Sequence, residues 1–214
     1  MFFSFDGIDG VGKTTQMELF CAWLRERGAE VVTCRDPGST SVGEAVREIL
    51  LNRPDLAISR RCEMLLYMAA RAQLVAEVIA PALEQGKAVV SDRFLLANVV
   101  YQGHAGGLDT EDIWTVGRVA INGFLPDLIF LLDMDSDAAR GRLNRPLDRM
   151  ELQGEAFRRG LRAGFQAEAA RQPELIRVVD AAQPIDVVQA QIRAAAAEVL
   201  ARKRFDTQQK GQPV

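Results

Sequence analysis

An α/β protein with a parallel sheet covered by helices on both faces is the fold class predicted by three features of the 214-residue sequence. Short, almost wholly apolar runs alternate with longer segments whose apolar residues recur at helical spacing, the pattern of strands buried on both sides. The first such run leads through Gly7-Ile8-Asp9-Gly10-Val11-Gly12-Lys13-Thr14-Thr15 directly into a helical segment, a strand-loop-helix unit. Hydrophobic content of 48% beside 26% charged residues is that of a globular chain with a sizeable core.

In order, residues 1–5 read as the first strand and 13–27 as a helix, with Met17, Leu19, Phe20, Trp23 and Leu24 on its apolar face and Gly28 as its stop. Residues 29–34 read as a second strand. Arg35-Asp36-Pro37-Gly38-Ser39-Thr40 breaks regular structure, and Thr40 or Ser41 caps a helix to about 51, with Glu44 placed for a capping box on Ser41. A long helix over 59–84 should kink or break near Pro81. Strand 87–91 follows, then helices 95–101 and 110–122 around a glycine-rich loop, strand 127–133, a helix from 135, an arginine-rich stretch, a helix over 149–171, strand 175–179 and a last helix over 185–202. That makes five strands in one domain, 1–204, with a small arginine-rich lid at 140–150 and a flexible tail at 205–214.

A net charge of −3 argues against an overall electrostatic grip on nucleic acid. Cys21, Cys34 and Cys62 lack metal-ligand spacing and read as small buried residues in a reducing compartment. No run of 18 apolar residues and no cleavable leader are visible, so the expectation is a cytoplasmic protein without a membrane segment. The single histidine, His104, has no obvious catalytic partner and reads as part of a loop.

The match to G-x-x-x-x-G-K-[ST] carries a physical demand. A polyphosphate needs many close donors, so glycines let the backbone approach, N–H groups point inward, and a helix start adds its positive end. Lys13 would reach the terminal phosphates and Thr14 would ligate Mg2+. A second magnesium ligand should end another strand, and Asp92 is favoured over Asp133 because Arg93 follows it, pairing a metal-side acid with a cation for phosphoryl oxygens. Asp133 serves equally as a helix cap. Arginines outnumber lysines 22 to four, and Arg140, Arg142, Arg145 and Arg149 crowd one turn that could close over a nucleotide.

Several short runs together resemble thymidylate kinase across nearly the whole chain: Phe5 to Gln16, the Arg35 to Thr40 loop, Gly43-Glu44-Ala45-Val46-Arg47, Leu65 to Arg71, Asp92-Arg93-Phe94, Tyr101-Gln102-Gly103, Ala120 to Gly123, Pro126-Asp127-Leu128 and Leu147 to Glu151. The resemblance implies a P-loop NTPase fold, transfer of the γ-phosphoryl group of ATP to dTMP with Mg2+, and a homodimer packed through helices, to which Met64, Leu65 and Met68 would contribute. It also implies residue roles. Arg47 and Arg93 hold the monophosphate, Tyr67 stacks on thymine, Arg71 and Asn98 bond its edge, and Pro37 lines the 5-methyl side. Asp9 takes the 3′-hydroxyl, while Tyr101, with Gln102 beside it, fills the space of a 2′-hydroxyl. Because Gly10 follows Asp9, the phosphate loop has no arginine of its own and Arg142, Arg145 or Arg149 must supply one. Asp36 and Ala97 stand where glutamate and serine are commoner. A kinase for another nucleoside monophosphate or for a deoxynucleoside is the nearest alternative. A guanine-nucleotide switch is disfavoured, since no Asn-Lys pair occurs.

Overall fold

The computed structural model describes residues 1–143 and 154–210. Its centre is β1, Phe2–Asp6, in which every residue is buried. Phe3 and Phe5 pack on Phe20 and Phe130 with ring centroids 4.9 to 5.6 Å apart where Phe5 is a partner, so the aromatic weight of this strand anchors helices on the sheet. The sheet has five parallel strands in the order β2-β3-β1-β4-β5, with β2 Val31–Arg35, β3 Ala88–Asp92, β4 Leu128–Asp133 and β5 Ile176–Asp180. The inner strands are buried along almost their whole length, whereas edge strands β2 and β5 each include exposed residues. Register sets Phe5 and Arg35 level with Asp92, so the carboxyl ends of β1, β2 and β3 open on one crevice where strand order reverses.

Helix α1, Lys13–Glu26, follows β1, with Phe20, Cys21, Trp23 and Leu24 buried. α2, Ser41–Asn52, starts at Thr40, whose Oγ1 accepts from Gly43 N at 2.9 Å. The expected Ser41–Glu44 box is therefore not the one that forms: Glu44 instead accepts from Ser39 N at 2.8 Å and from Arg35, tying the preceding loop to the helix. Gly43 is required there, because a Cβ would lie 2.7 Å from Gly38 O.

The expected long helix is continuous but irregular: α3, Arg60–Leu74, a π-helical turn, Val75–Ile79, and α4, Ala80–Glu84. Pro81 has no N–H and clashes with the carbonyl four residues back, and the wider turn, with Ala80 N bonding Val75 O, accommodates it without a break. By length and composition Arg60–Glu84 could cross a membrane, yet Met64, Met68, Leu74 and Ile79 are core residues of this domain. Met64 and Met68 are thus not available to a partner, and of the three residues expected at a dimer face only Leu65 is exposed. Cys62 is likewise exposed, while Cys21 and Cys34 are buried as expected.

After β3 come α5, Leu95–Asn98, and a second π-helical turn, Val99–His104, where a loop was expected to begin at residue 103. His104 does have a partner: its Nε2 lies 2.8 Å from Oε1 of the buried Glu168. α6 is Thr110–Ile121, α7 Ser136–Gly141, α8 Glu155–Arg171 and α9 Ile185–Lys210, which runs past its expected end into the expected tail. Most of the expected lid falls outside the described residues.

Candidate active site

The phosphate loop joins β1 to α1 under steric constraint. A Cβ on Gly7 would meet Leu132 O at 2.4 Å, and one on Gly10 would meet Ala139 O at 2.0 Å; both residues hold positive φ. Gly12 caps α1 from the left-handed region with no side-chain bond, leaving the first helical N–H groups facing the cleft. Lys13 folds back, its Nζ donating to Gly7 O at 3.1 Å, Ile8 O at 2.9 Å and Asp9 Oδ1 at 3.3 Å. Burial and the neighbouring Arg93 lower its pKa, opposed by Asp9.

Arg93, just beyond β3 with φ 66°, crosses to the same loop. It donates to Gly7 O at 2.9 Å and to Asp9 Oδ1 at 2.7 Å, with its Cζ 5.1 Å from the Tyr101 ring centroid. Although burial disfavours both charges, the two cations hold the Asp9 carboxyl well below the usual range, and Asp9 is the main influence raising Arg93. Asp92 ends β3 with Oδ1 buried and, among the described residues, unpartnered. Asp133 accepts from Arg162 Nε and Nη2 at 2.8 and 2.9 Å.

These groups line a cleft of about 970 Å³. Its lining also takes in Pro37, Arg47, Tyr67, Arg71, Ala97, Asn98, Tyr101 and Gln102, which with Asp9 and Arg93 include every residue expected to bind the acceptor. Arg47 Nη1 donates to Pro37 O at 3.0 Å, and burial lowers the Arg47 pKa. Arg71 is fully buried, bonding Asp36 Oδ2 at 2.6 Å and Asn98 Oδ1 at 3.0 Å. The lining continues with Thr14, Thr15 and Gln16 and, as a further wall, Arg142, Leu143 and residues 181–185. This wall was missed in the sequence, which carries no motif there; the available signal was position, just past the carboxyl end of the last strand. Gln16 Nε2 donates to Ile185 O at 3.0 Å and Arg142 Nη1 to Ala181 O at 3.4 Å, holding the wall to α1 and α7. Arg145 and Arg149 lie outside the described residues.

Residues 5–192 match the family model described as thymidylate kinase. The chain belongs to the thymidylate kinase family. It is 44% identical over 197 residues to a thymidylate kinase of Bifidobacterium longum, covering 91% of this chain and 96% of that one. To one of Pelotomaculum thermopropionicum it is 45% identical over 202 residues, covering 93% and 94%. The crystal structure of thymidylate kinase from Ehrlichia chaffeensis superposes with a TM-score of 0.74 at 29% identity, covering 92% of this chain and 98% of that chain. The five-stranded parallel fold and the family resemblance read from the sequence are both borne out.

Proposed function

We propose that the chain transfers the γ-phosphoryl group of ATP to dTMP, giving dTDP and ADP. Family membership supports the reaction, and one observation carries it here: Lys13, Arg93 and Asp9 are bonded together and line, with Asp92, the same cleft as the residues expected to hold dTMP. The acceptor is already an anionic phosphate oxygen, so catalysis consists of placing two polyanions in line and offsetting their repulsion. Lys13 and the α1 amides face the donor phosphates, Arg47 holds the acceptor phosphate, and Arg93 reaches both. Tyr67 stacks on the base, Arg71 and Asn98 read its edge beside Pro37, Asp9 takes the 3′-hydroxyl, and Tyr101 with Gln102 closes the 2′ side. Arg142 is the described member of the lid arginines, of which Arg145 and Arg149 complete the set.

The donor set suits magnesium, a hard ion that takes few protein oxygens beside phosphate and water. Asp92 presents an unpartnered buried carboxylate oxygen, and Thr14 lines the cleft at the start of α1. Asp92 and Thr14 would hold the ion, which would supply charge neutralisation to the phosphates. Val42, Leu65 and Val119, exposed on α2, α3 and α6, support a homodimer through these helices. A cytoplasmic setting completes this reading.

A coupled assay of ADP release with ATP, Mg2+ and dTMP, dUMP, dCMP, dGMP or dAMP tests the reading. We expect the highest kcat/KM with dTMP; equal turnover of another base would reassign the acceptor pocket.

A further inference from the structure

A buried chain of hydrogen bonds starts at the acceptor-side lining of the cleft and reaches a residue outside that lining. Arg71 Nη1 donates to Asn98 Oδ1 at 3.0 Å, Asn98 Nδ2 donates to Gln102 Oε1 at 2.6 Å, and Gln102 Nε2 donates to Glu63 Oε1 at 2.9 Å. All four side chains are buried, and Glu63 does not line the cleft. The two ends differ in kind. A guanidinium can only donate and a carboxylate can only accept, so every bond between them runs the same way. Arg60 Nη1 lies 3.7 Å from Glu63 Oε1 at that terminus.

We propose that Glu63 is a positioning residue for base selection, acting through Gln102 and Asn98 on Arg71. This rests on the acceptor assignment above. With Nε committed to Asp36 and Nη1 to Asn98, Arg71 keeps Nη2, whose one bond among the described residues is a 3.4 Å donation to Phe94 O, as the donor for a base carbonyl. Glu63 holds the Gln102 amide with its oxygen toward Asn98, and Asn98 is thereby held with its oxygen toward Arg71. Remove the terminal acceptor, and the Gln102 amide is left with an unpaired buried donor and a reason to turn. Asn98 then loses its partner, and the guanidinium its fixed orientation. The selected ligand is a pyrimidine nucleotide with a carbonyl at the position where its rival carries an amino group.

The test compares Glu63→Ala, which removes the acceptor, with Glu63→Gln, which keeps an acceptor oxygen without charge. We expect Glu63→Ala to raise KM for dTMP by ~10-fold and to shrink the dTMP-to-dCMP ratio of kcat/KM by a similar factor, the scale of losing one orienting polar contact. KM for ATP should not change, kcat should stay within about 2-fold, and Glu63→Gln should recover most of the loss. An unchanged ratio in Glu63→Ala, an equal rise in KM for ATP, or Glu63→Gln as impaired as Glu63→Ala would overturn the proposal. Wild-type turnover of dTMP, measured alongside, isolates failure of the acceptor assignment from failure of the proposal. If Glu63→Ala does not fold, Glu63→Met, which fills the same space without an acceptor, is read by the same ratio. In the wild type, a through-bond coupling between the Asn98 side-chain nitrogen and the Gln102 carbonyl carbon reports the bond direction; its absence contradicts the chain.

Discussion

Asp9 and Arg93, 84 positions apart, meet at 2.7 Å, and the carboxylate oxygen they share also lies 3.3 Å from Lys13 Nζ. One anion thus gathers the two cations that the site needs, and it does so where β1 and β3 end side by side. Removing either cation takes away a preorganised donor aimed at developing phosphoryl charge. We expect Lys13→Ala and Arg93→Ala each to lower kcat by roughly 10²–10³. Steady-state kinetics with dTMP and ATP check this, and near-normal turnover in both variants would refute the shared-charge assignment.

Asp92→Asn keeps the shape of the strand end and removes its charge. The magnesium concentration for half-maximal rate should rise by about 10-fold or more, the scale of losing an outer ligand. A magnesium titration at saturating nucleotide decides it; an unchanged midpoint would move the metal role away from β3.

Tyr101 covers the Arg93 guanidinium with its ring face and is backed by the edges of Phe157 and Phe165, both centroids 6.3 Å away. Tyr101→Phe should keep sugar selection, whereas Tyr101→Ala should raise relative use of a ribonucleotide acceptor by ~10-fold. Unaltered exclusion of a 2′-hydroxyl in the alanine variant would remove this role.

Asp6 is fully buried beneath the loop, with one carboxylate oxygen unpartnered, and burial pushes its pKa up to about 7 despite Arg93 and Lys13. A carboxyl titrating higher in the folded than in the unfolded chain binds its proton preferentially when folded. Its contribution to stability is therefore full below about pH 4 and lost as pH rises through about 7. Asp6→Asn, which mimics the protonated acid, should lack that loss and be more stable than wild type at pH 8 by ~2–4 kcal/mol. Denaturant unfolding at pH 5 and pH 8 measures it, and parallel pH dependence in the two proteins would count against it.

The strands and the phosphate loop were legible in the sequence because each depends on local pattern: apolar runs of strand length, and glycines where a Cβ would strike the backbone of β4 or α7. Which side of a helix faces the core was less so. Met64 and Met68 are core residues because α3 packs against both α2 and α6, a tertiary fact that helical spacing alone does not settle. Neither π-helical turn has a side-chain signature distinct from an α-helix, so the step around Pro81 and the turn carrying His104 were read as a kink and a loop. The acceptor-side residues were proposed through family motifs, but the bonds that join Glu63 to Arg71 run from α3 through the helical stretch 95–104 and back, and become visible only once these two segments are folded together.

The most direct test supplies ATP radiolabelled at the γ-phosphate together with Mg2+ and dTMP, and separates the products. Label recovered in dTDP in proportion to ADP formed, and lost in Arg93→Ala, is the expected result. ADP accumulating with free labelled phosphate and no labelled dTDP would contradict phosphoryl transfer between two nucleotides held by one charge cluster.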